Sequence, residues 1–102
     1  MIRQARKLVE NGELGEIRVI QAEYAQDWLS EAADNKQADW RVNPEKSGAG
    51  AIGDIGTHAL NLASFVSGLQ PQALCADLHS FVDGRRVDDN AHIMLRFEKG
   101  AK

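Results

Sequence analysis

The sequence is poor in the residues and segments that mark several protein classes. Cys75 is the single cysteine among 102 residues, so the chain cannot form an internal disulfide. Its apolar neighbours favour a buried thiol in a reducing, cytoplasmic environment. No apolar run approaches the roughly 18 residues that a membrane-spanning helix needs. The cationic first residues are not followed by the apolar stretch of a secretory signal.

The chain also lacks any concentration of positive charge. Its net charge is −3, and 26% of its residues are charged without a basic cluster. This balance indicates neither a nucleic-acid-binding face nor a polybasic membrane anchor. With 43% hydrophobic residues, the chain has the composition of a soluble globular protein. We therefore interpret residues 1–102 as a single domain or part of one.

The spacing of apolar residues predicts an α+β fold. The Asp83-Gly84 turn predicts a hairpin between the last two strands. The expected architecture is an antiparallel or mixed sheet with helices packed on one face and the opposite face open. The long segment 27–49 is expected to be irregular, and it contains both tryptophans, Trp28 and Trp40, which favours a functional role. The predicted elements are helices over residues 2–10 and 51–67 and strands over residues 16–26, 73–82 and 90–97.

Asp54 and His58 are the strongest candidates for chemistry. Four residues apart on an α-helix, they would project from the same face. A carboxylate beside an imidazole can orient the ring and stabilise its charged form, which makes the pair a proton-transfer unit. A salt-bridged surface pair is the simpler interpretation, but the surrounding glycines are poor choices for a helix that needs only stability. One histidine and one aspartate are too few for a metal site, so none is expected.

A glycine motif precedes the same helix. Residues Gly48-Ala-Gly-Ala-Ile-Gly53 satisfy the pattern G-x-G-x-x-G of dinucleotide-binding turns. Such a turn must follow a buried parallel strand, whereas residues 41–47 are polar and contain a proline. The expected role of these glycines is to let the backbone pass close to another group at the start of the helix, without binding a pyrophosphate.

Two segments of the chain resemble the Gfo/Idh/MocA oxidoreductases. They are Gly12-Glu-Leu-Gly-Glu-Ile-Arg18 and Asp39-Trp-Arg-Val-Asn-Pro-Glu-Lys-Ser-Gly-Ala-Gly-Ala-Ile-Gly-Asp-Ile-Gly-Thr-His-Ala-Leu-Asn-Leu62. The resemblance implies the first part of the family's C-terminal α+β domain, which carries substrate residues and an open sheet used for oligomerisation. The family's other domain, a Rossmann domain that binds NAD or NADP, is absent from this chain.

The resemblance also implies a role for each candidate residue. His58 matches the family's acid/base histidine, and Asp54 matches the aspartate that orients it and contacts substrate. Trp40 and Arg41 match a loop pair that reaches the cofactor. Asp27 and Trp28 belong to an element similar to that of members that act on sugars, anhydrosugars or polyols. The catalytic lysine of the family, in a Glu-Lys-Pro motif, has no counterpart in this sequence.

The sequence is compatible with two hypotheses about the whole chain. In the first, it is a piece of an NAD(P)-dependent dehydrogenase for a sugar or polyol, inactive by itself. In the second, it is a non-catalytic α+β module that dimerises or binds a small ligand through the same cleft. Because both faces of the predicted strands are mixed, we expect a homo-oligomer formed through the open face of the sheet.

Overall fold

The computed structural model describes residues 1–32 and 34–102. Within them, the architecture is α+β and no helix is long and apolar enough to cross a membrane. The chain forms two compact units, each built from separate segments of sequence. We call them the terminal unit (Met1–Glu23, His58–Cys75 and Ile93–Lys102) and the central unit (Tyr24–Thr57 and Ala76–His92).

The terminal unit begins with helix α1, Ile2–Glu10, as the apolar spacing predicts. The helix ends at Asn11, and Gly12 follows with a φ of +75°, a left-handed conformation that favours glycine. At the other end of the sequence Phe97 and Ala101 are buried, and the Phe97 amide donates to the Ala101 carbonyl over 2.8 Å. These two residues form the core of this unit among the described residues.

The strand predicted over residues 16–26 is not formed. Its alternating pattern describes a pleated surface, but a strand exists only where a neighbouring chain segment satisfies its backbone. In the described chain, this segment pairs with a single residue. The Ile20 amide donates to the Lys102 carbonyl over 2.8 Å, and the Lys102 amide donates to the Arg18 carbonyl over 3.0 Å.

The central unit contains two short helices where the sequence predicts an irregular segment. Helix α2, Lys36–Val42, starts at Asn35, whose side chain accepts from the Ala38 amide over 2.9 Å. Helix α3, Pro44–Ser47, starts at Asn43 and ends at Gly48, which has a φ of +73°. Both N-caps are asparagine, one of the preferred residue types there. The prediction of an irregular loop over residues 27–49 is therefore wrong for these two stretches.

The helix predicted over residues 51–67 forms in two parts. Residues Ile52–Gly56 are π-helical, and helix α4, Thr57–Ser67, continues from them in α-helical geometry. Gly68 follows with a φ of +72°. π-Helical turns are rare and occur frequently at functional sites. The α-helical spacing assumed for Asp54 and His58 is thus not kept in the segment that carries Asp54.

Strands β1, Pro71–His79, and β2, Asn90–Phe97, pair as an antiparallel two-stranded sheet. The predicted hairpin is confirmed, although its connection is ten residues long (80–89) and β1 ends three residues before the predicted end. The Asp83-Gly84 turn lies inside this connection, where the Arg85 amide donates to the Val82 carbonyl over 3.1 Å. Every residue of β1 is exposed, including Cys75, so the prediction of a buried thiol is wrong.

Candidate active site

A cavity of about 390 Å³ lies within the central unit and collects most of the candidate residues. This volume is at the lower end of the range of small-molecule sites. Trp28, Trp40, Arg41 and Asp54 all line it. The chain brings them together because α2 presents Trp40 and Arg41, while the π-helical segment presents Asp54. Residues that lie 26 positions apart in sequence thus meet in one pocket.

Arg41 is the centre of this group. Its Nε donates to Asp54 Oδ2 over 2.8 Å, and the two side chains are 29% and 33% exposed. Its guanidinium carbon lies 5.4 Å from the centroid of Trp28 and 5.3 Å from that of Trp40. Such cation–π contacts contribute about 0.5–2 kcal/mol each, depending on desolvation. Arg41 therefore joins both tryptophans to the candidate catalytic aspartate.

Trp28 is oriented from its other side by the residues that precede it. Its Nε1 donates to Gln26 Oε1 over 3.0 Å, and Gln26 Nε2 donates to the Tyr24 hydroxyl over 3.3 Å. These two hydrogen bonds join side chains that are two residues apart, at positions 24, 26 and 28. Trp28 is 38% exposed, so part of the residue remains accessible to a ligand.

Asp27 and His58 are placed differently from the other candidates. Asp27 is exposed, and its backbone carbonyl accepts from Ser30 Oγ over 2.6 Å, which closes a short turn. Asp27 is not one of the described residues that line the cavity. His58 is an exposed residue in the first turn of α4 and belongs to the terminal unit. Its role in proton transfer remains a prediction.

Arg85 and Asp89 also line the cavity, although no motif in the sequence predicts them there. The Arg85 side chain is 5% exposed, and its Nη1 lies 3.3 Å from Asp89 Oδ2. Asp89 also accepts from the amides of Phe81 and Val82, with donor distances of 2.9 and 3.0 Å. Consecutive aspartates before a strand are the only signal in the sequence, and they are equally typical of a solvated turn. Only the structure shows that the Asp89 carboxylate binds two amides and one arginine of the segment between β1 and β2.

These hydrogen bonds and the nearby Arg85 charge affect the pKa of Asp89. Burial raises the pKa of its carboxyl, but hydrogen bonds from the Phe81 and Val82 amides and the nearby Arg85 charge outweigh it. The net result is a pKa below its ordinary value of 3.8. A carboxylate with a depressed pKa stabilises the fold above its unfolded pKa, and this contribution is lost as pH falls through the folded pKa.

We therefore expect Asp89→Asn to lower the free energy of unfolding at pH 7 by about 1–3 kcal/mol, since an NH2 group replaces one of the two acceptor oxygens and faces N–H donors. Urea unfolding at several pH values measures the difference from wild type. The difference should stay constant above pH 3.8 and shrink below it. Asp77→Asn, an exposed substitution on β1, is the control. A difference that does not change with pH would contradict the assigned cause.

The glycine motif lies at the edge of the same cavity, and Asp88 is its partner. Helix α3, and no strand, leads into Gly48, as expected for a motif that is not a dinucleotide-binding turn. Asp88 Oδ1 accepts from the Gly50 amide over 3.0 Å, and Oδ2 accepts from the Ile52 amide over 2.7 Å. The Gly50 and Ile52 amides, which in a dinucleotide-binding turn would bind a phosphate, are thus bound by the Asp88 carboxylate.

The chain is similar in sequence and fold to known proteins. The family model described as "GFO/IDH/MocA C-terminal domain" matches residues 2–102. The levoglucosan dehydrogenase of Pseudarthrobacter phenanthrenivorans is 30% identical over 120 residues, which include 95% of this chain and 30% of that enzyme.

Two solved structures resemble the chain closely. An oxidoreductase from Sinorhizobium meliloti is 49% identical with a TM-score of 0.78, over 97% of this chain and 23% of that protein. A levoglucosan dehydrogenase in complex with NADH and levoglucosan is 32% identical with a TM-score of 0.80, over 95% of this chain and 27% of that protein. The chain therefore spans between 23% and 30% of the length of these relatives.

Proposed function

Because this chain belongs to the GFO/IDH/MocA family through its C-terminal domain, we propose that it forms the substrate side of a nicotinamide-dependent oxidoreductase. The substrate class is a sugar, anhydrosugar or polyol, oxidised at a hydroxyl or reduced at a carbonyl. The observation that carries this proposal is the cavity in which Trp28, Trp40, Arg41 and Asp54 meet. A relative that covers most of this chain is a levoglucosan dehydrogenase, which supports the sugar class.

The cavity suits such a ligand chemically. A sugar ring offers an apolar face of C–H groups and an edge of hydroxyls. The exposed part of the Trp28 indole provides a flat apolar surface, and Asp54 provides carboxylate oxygens that accept hydroxyl protons. Since 33% of the Asp54 side chain is exposed, it is accessible to a ligand despite its pairing with Arg41.

In the proposed reaction His58 takes or gives the proton of the reacting hydroxyl. A neutral imidazole accepts a proton and an imidazolium donates one, so the same residue serves oxidation and reduction. Asp54 contacts the substrate and orients His58 for the proton transfer. Each assignment comes from the matching positions of the family motif.

The cofactor, NAD or NADP, accepts or donates the hydride when bound. The glycine motif of this chain does not suit its pyrophosphate, because Asp88 binds the amides of Gly50 and Ile52. Trp40 is 47% exposed and offers an indole face, so Trp40 and Arg41 are the residues proposed to contact the cofactor. The pyrophosphate would then be bound by a domain outside this chain.

We also propose that the full protein is a homo-oligomer assembled through the sheet. The exposed side chains of β1 include Leu74 and Leu78, which are 71% and 51% exposed. Exposed apolar side chains on an edge strand are typical of surfaces that another chain covers.

The proposed function is tested with the protein encoded by the complete reading frame that contains this chain. NAD or NADP is mixed with sugars, anhydrosugars and polyols, and formation of the reduced nicotinamide is followed by its absorbance. We expect turnover of at least one compound in this class. Absence of turnover with the whole set, in a protein that binds these compounds, would favour the non-catalytic binding module instead.

Trp28 provides a sharper test of the substrate class. In the same protein, Trp28→Ala should raise the KM for the sugar by about tenfold, the equivalent of 1–2 kcal/mol of aromatic contact. Trp28→Phe retains an aromatic face and should recover most of this loss. Equal KM values for wild type and the alanine variant would remove Trp28 from the substrate site.

A further inference from the structure

The Asp88 side chain binds the segment of chain that leads into the candidate catalytic residues. Its two carboxylate oxygens accept from the amides of Gly50 and Ile52 over 3.0 and 2.7 Å. Its backbone carbonyl accepts from the intervening Ala51 amide over 2.8 Å. Three consecutive amides of the glycine motif are therefore bound by one residue, 36 to 38 positions further along the chain.

Gly50 is required for this contact. It is buried, and a Cβ atom at this position would lie 2.6 Å from the Asp88 nitrogen and closer still to its carbonyl oxygen. Backbone atoms cannot move aside as the end of a flexible side chain can. The absence of a side chain at Gly50 thus allows the two backbones to approach, and Asp88 then fixes their separation through three hydrogen bonds.

The same contact sets the start of the π-helical segment. The Gly50 carbonyl accepts from the Gly53 amide over 3.1 Å and from the Asp54 amide over 3.0 Å. The Gly50 amide thus donates to Asp88, and the Gly50 carbonyl accepts from the Asp54 amide. The Asp54 carboxylate in turn accepts a hydrogen bond from Arg41 Nε over 2.8 Å. Two hydrogen bonds on either side of Gly50 thus connect Asp88 to the backbone amide of Asp54.

We propose that Asp88 is a positioning residue for the substrate site, which it serves by fixing the backbone from Gly50 to Asp54. This inference rests on the proposed function for its catalytic consequence. In a dinucleotide-binding turn, amides of this kind hold a phosphate. Here the Asp88 carboxylate takes the place of that phosphate, so the glycine motif serves the geometry of Asp54 and does not bind the cofactor.

The test uses the full-length protein with Asp88→Glu, Asp88→Asn and Asp88→Ala. Glutamate keeps both acceptor oxygens on a longer side chain, asparagine keeps one acceptor, and alanine keeps none. Asp83→Asn, an exposed aspartate in the same connection, is the matched control. The measurements are kcat, the KM for nucleotide, the thermal midpoint, and amide hydrogen exchange at Gly50 and Ile52.

We expect kcat to fall in the order glutamate, asparagine, alanine, and the alanine variant to lose about 10²-fold through displacement of Asp54. The KM for nucleotide should stay within about twofold, because the pyrophosphate is bound elsewhere. Exchange at the two amides should accelerate in the alanine variant and not in Asp83→Asn. A merely structural role would lower the thermal midpoint without this grading of kcat. If the alanine variant does not fold, the glutamate and asparagine variants carry the same comparison.

Turnover of Asp88→Ala equal to that of Asp83→Asn would overturn the positioning role, as would a loss confined to the KM for nucleotide. An inactive wild-type protein would overturn the proposed function and with it the catalytic consequence. In that case amide exchange still decides on the contact itself, and unchanged exchange in Asp88→Ala would refute it. Failure of the proposed function and failure of the role of Asp88 are therefore distinguishable.

Discussion

Replacement of His58 by alanine in the full-length protein should lower kcat by about 10²–10⁴-fold, the contribution typical of a positioned general acid or base. The binding constant of the nucleotide should change by less than about twofold, because His58 acts on the substrate hydroxyl. Steady-state kinetics with the best sugar substrate and a fluorescence titration with nucleotide measure the two quantities separately. A loss of kcat without a loss of nucleotide binding identifies an interaction made in the transition state.

Exogenous imidazole provides the control for this prediction. If the ring of His58 transfers a proton, added imidazole should restore part of the turnover of His58→Ala and leave wild type unchanged. His92→Ala, an exposed histidine on β2, should retain wild-type turnover. Turnover of His58→Ala within a few-fold of wild type, or a loss that imidazole does not restore in a folded protein, would contradict the acid/base role.

The elements that could be predicted are those whose signals are local. Helix α1 ends at Asn11-Gly12 and β2 has the predicted bounds, because a capping glycine and a clear alternation act over a few residues. Helix α3 also carries a local signal. Asn43 followed by Pro44 is a strong helix start, and Gly48 a strong helix end.

What could not be predicted depends on partners distant in sequence. The alternation of residues 16–26 is real, but no local pattern states whether a neighbouring strand is present to complete it. Asp88 and Asp89 look alike in the sequence, yet one binds the glycine motif and the other binds Arg85 and the turn beside it. The residue types of the candidate site could be read from the motif, whereas their mutual contacts required the folded chain.

The contact between Arg41 and Asp54 leads to the second prediction of large effect. Asp54→Asn keeps the shape of the side chain and removes its charge, so we expect kcat/KM to fall by about 10–10²-fold through weaker orientation of substrate. Arg41→Ala leaves the Asp54 carboxylate without its guanidinium and opens the space between the two tryptophans, so a similar loss is expected. Steady-state kinetics of both variants in the full-length protein provides the measurement.

The double variant shows whether these residues act as a unit. Residues in direct contact show interaction energies of about 0.5–3 kcal/mol in a double-mutant cycle. Because Arg41 Nε lies 2.8 Å from Asp54 Oδ2, the double variant should be little worse than the poorer single variant. Arg41→Lys keeps the charge but loses the planar group that lies over both indoles, so it should recover only part of the activity. Additive losses in the cycle would mean that Arg41 acts independently of Asp54, through the proposed contact with the cofactor alone. A complete recovery by lysine would mean that charge alone suffices. The expected partial recovery would instead show that the guanidinium between the two indoles holds Asp54 in place for the substrate.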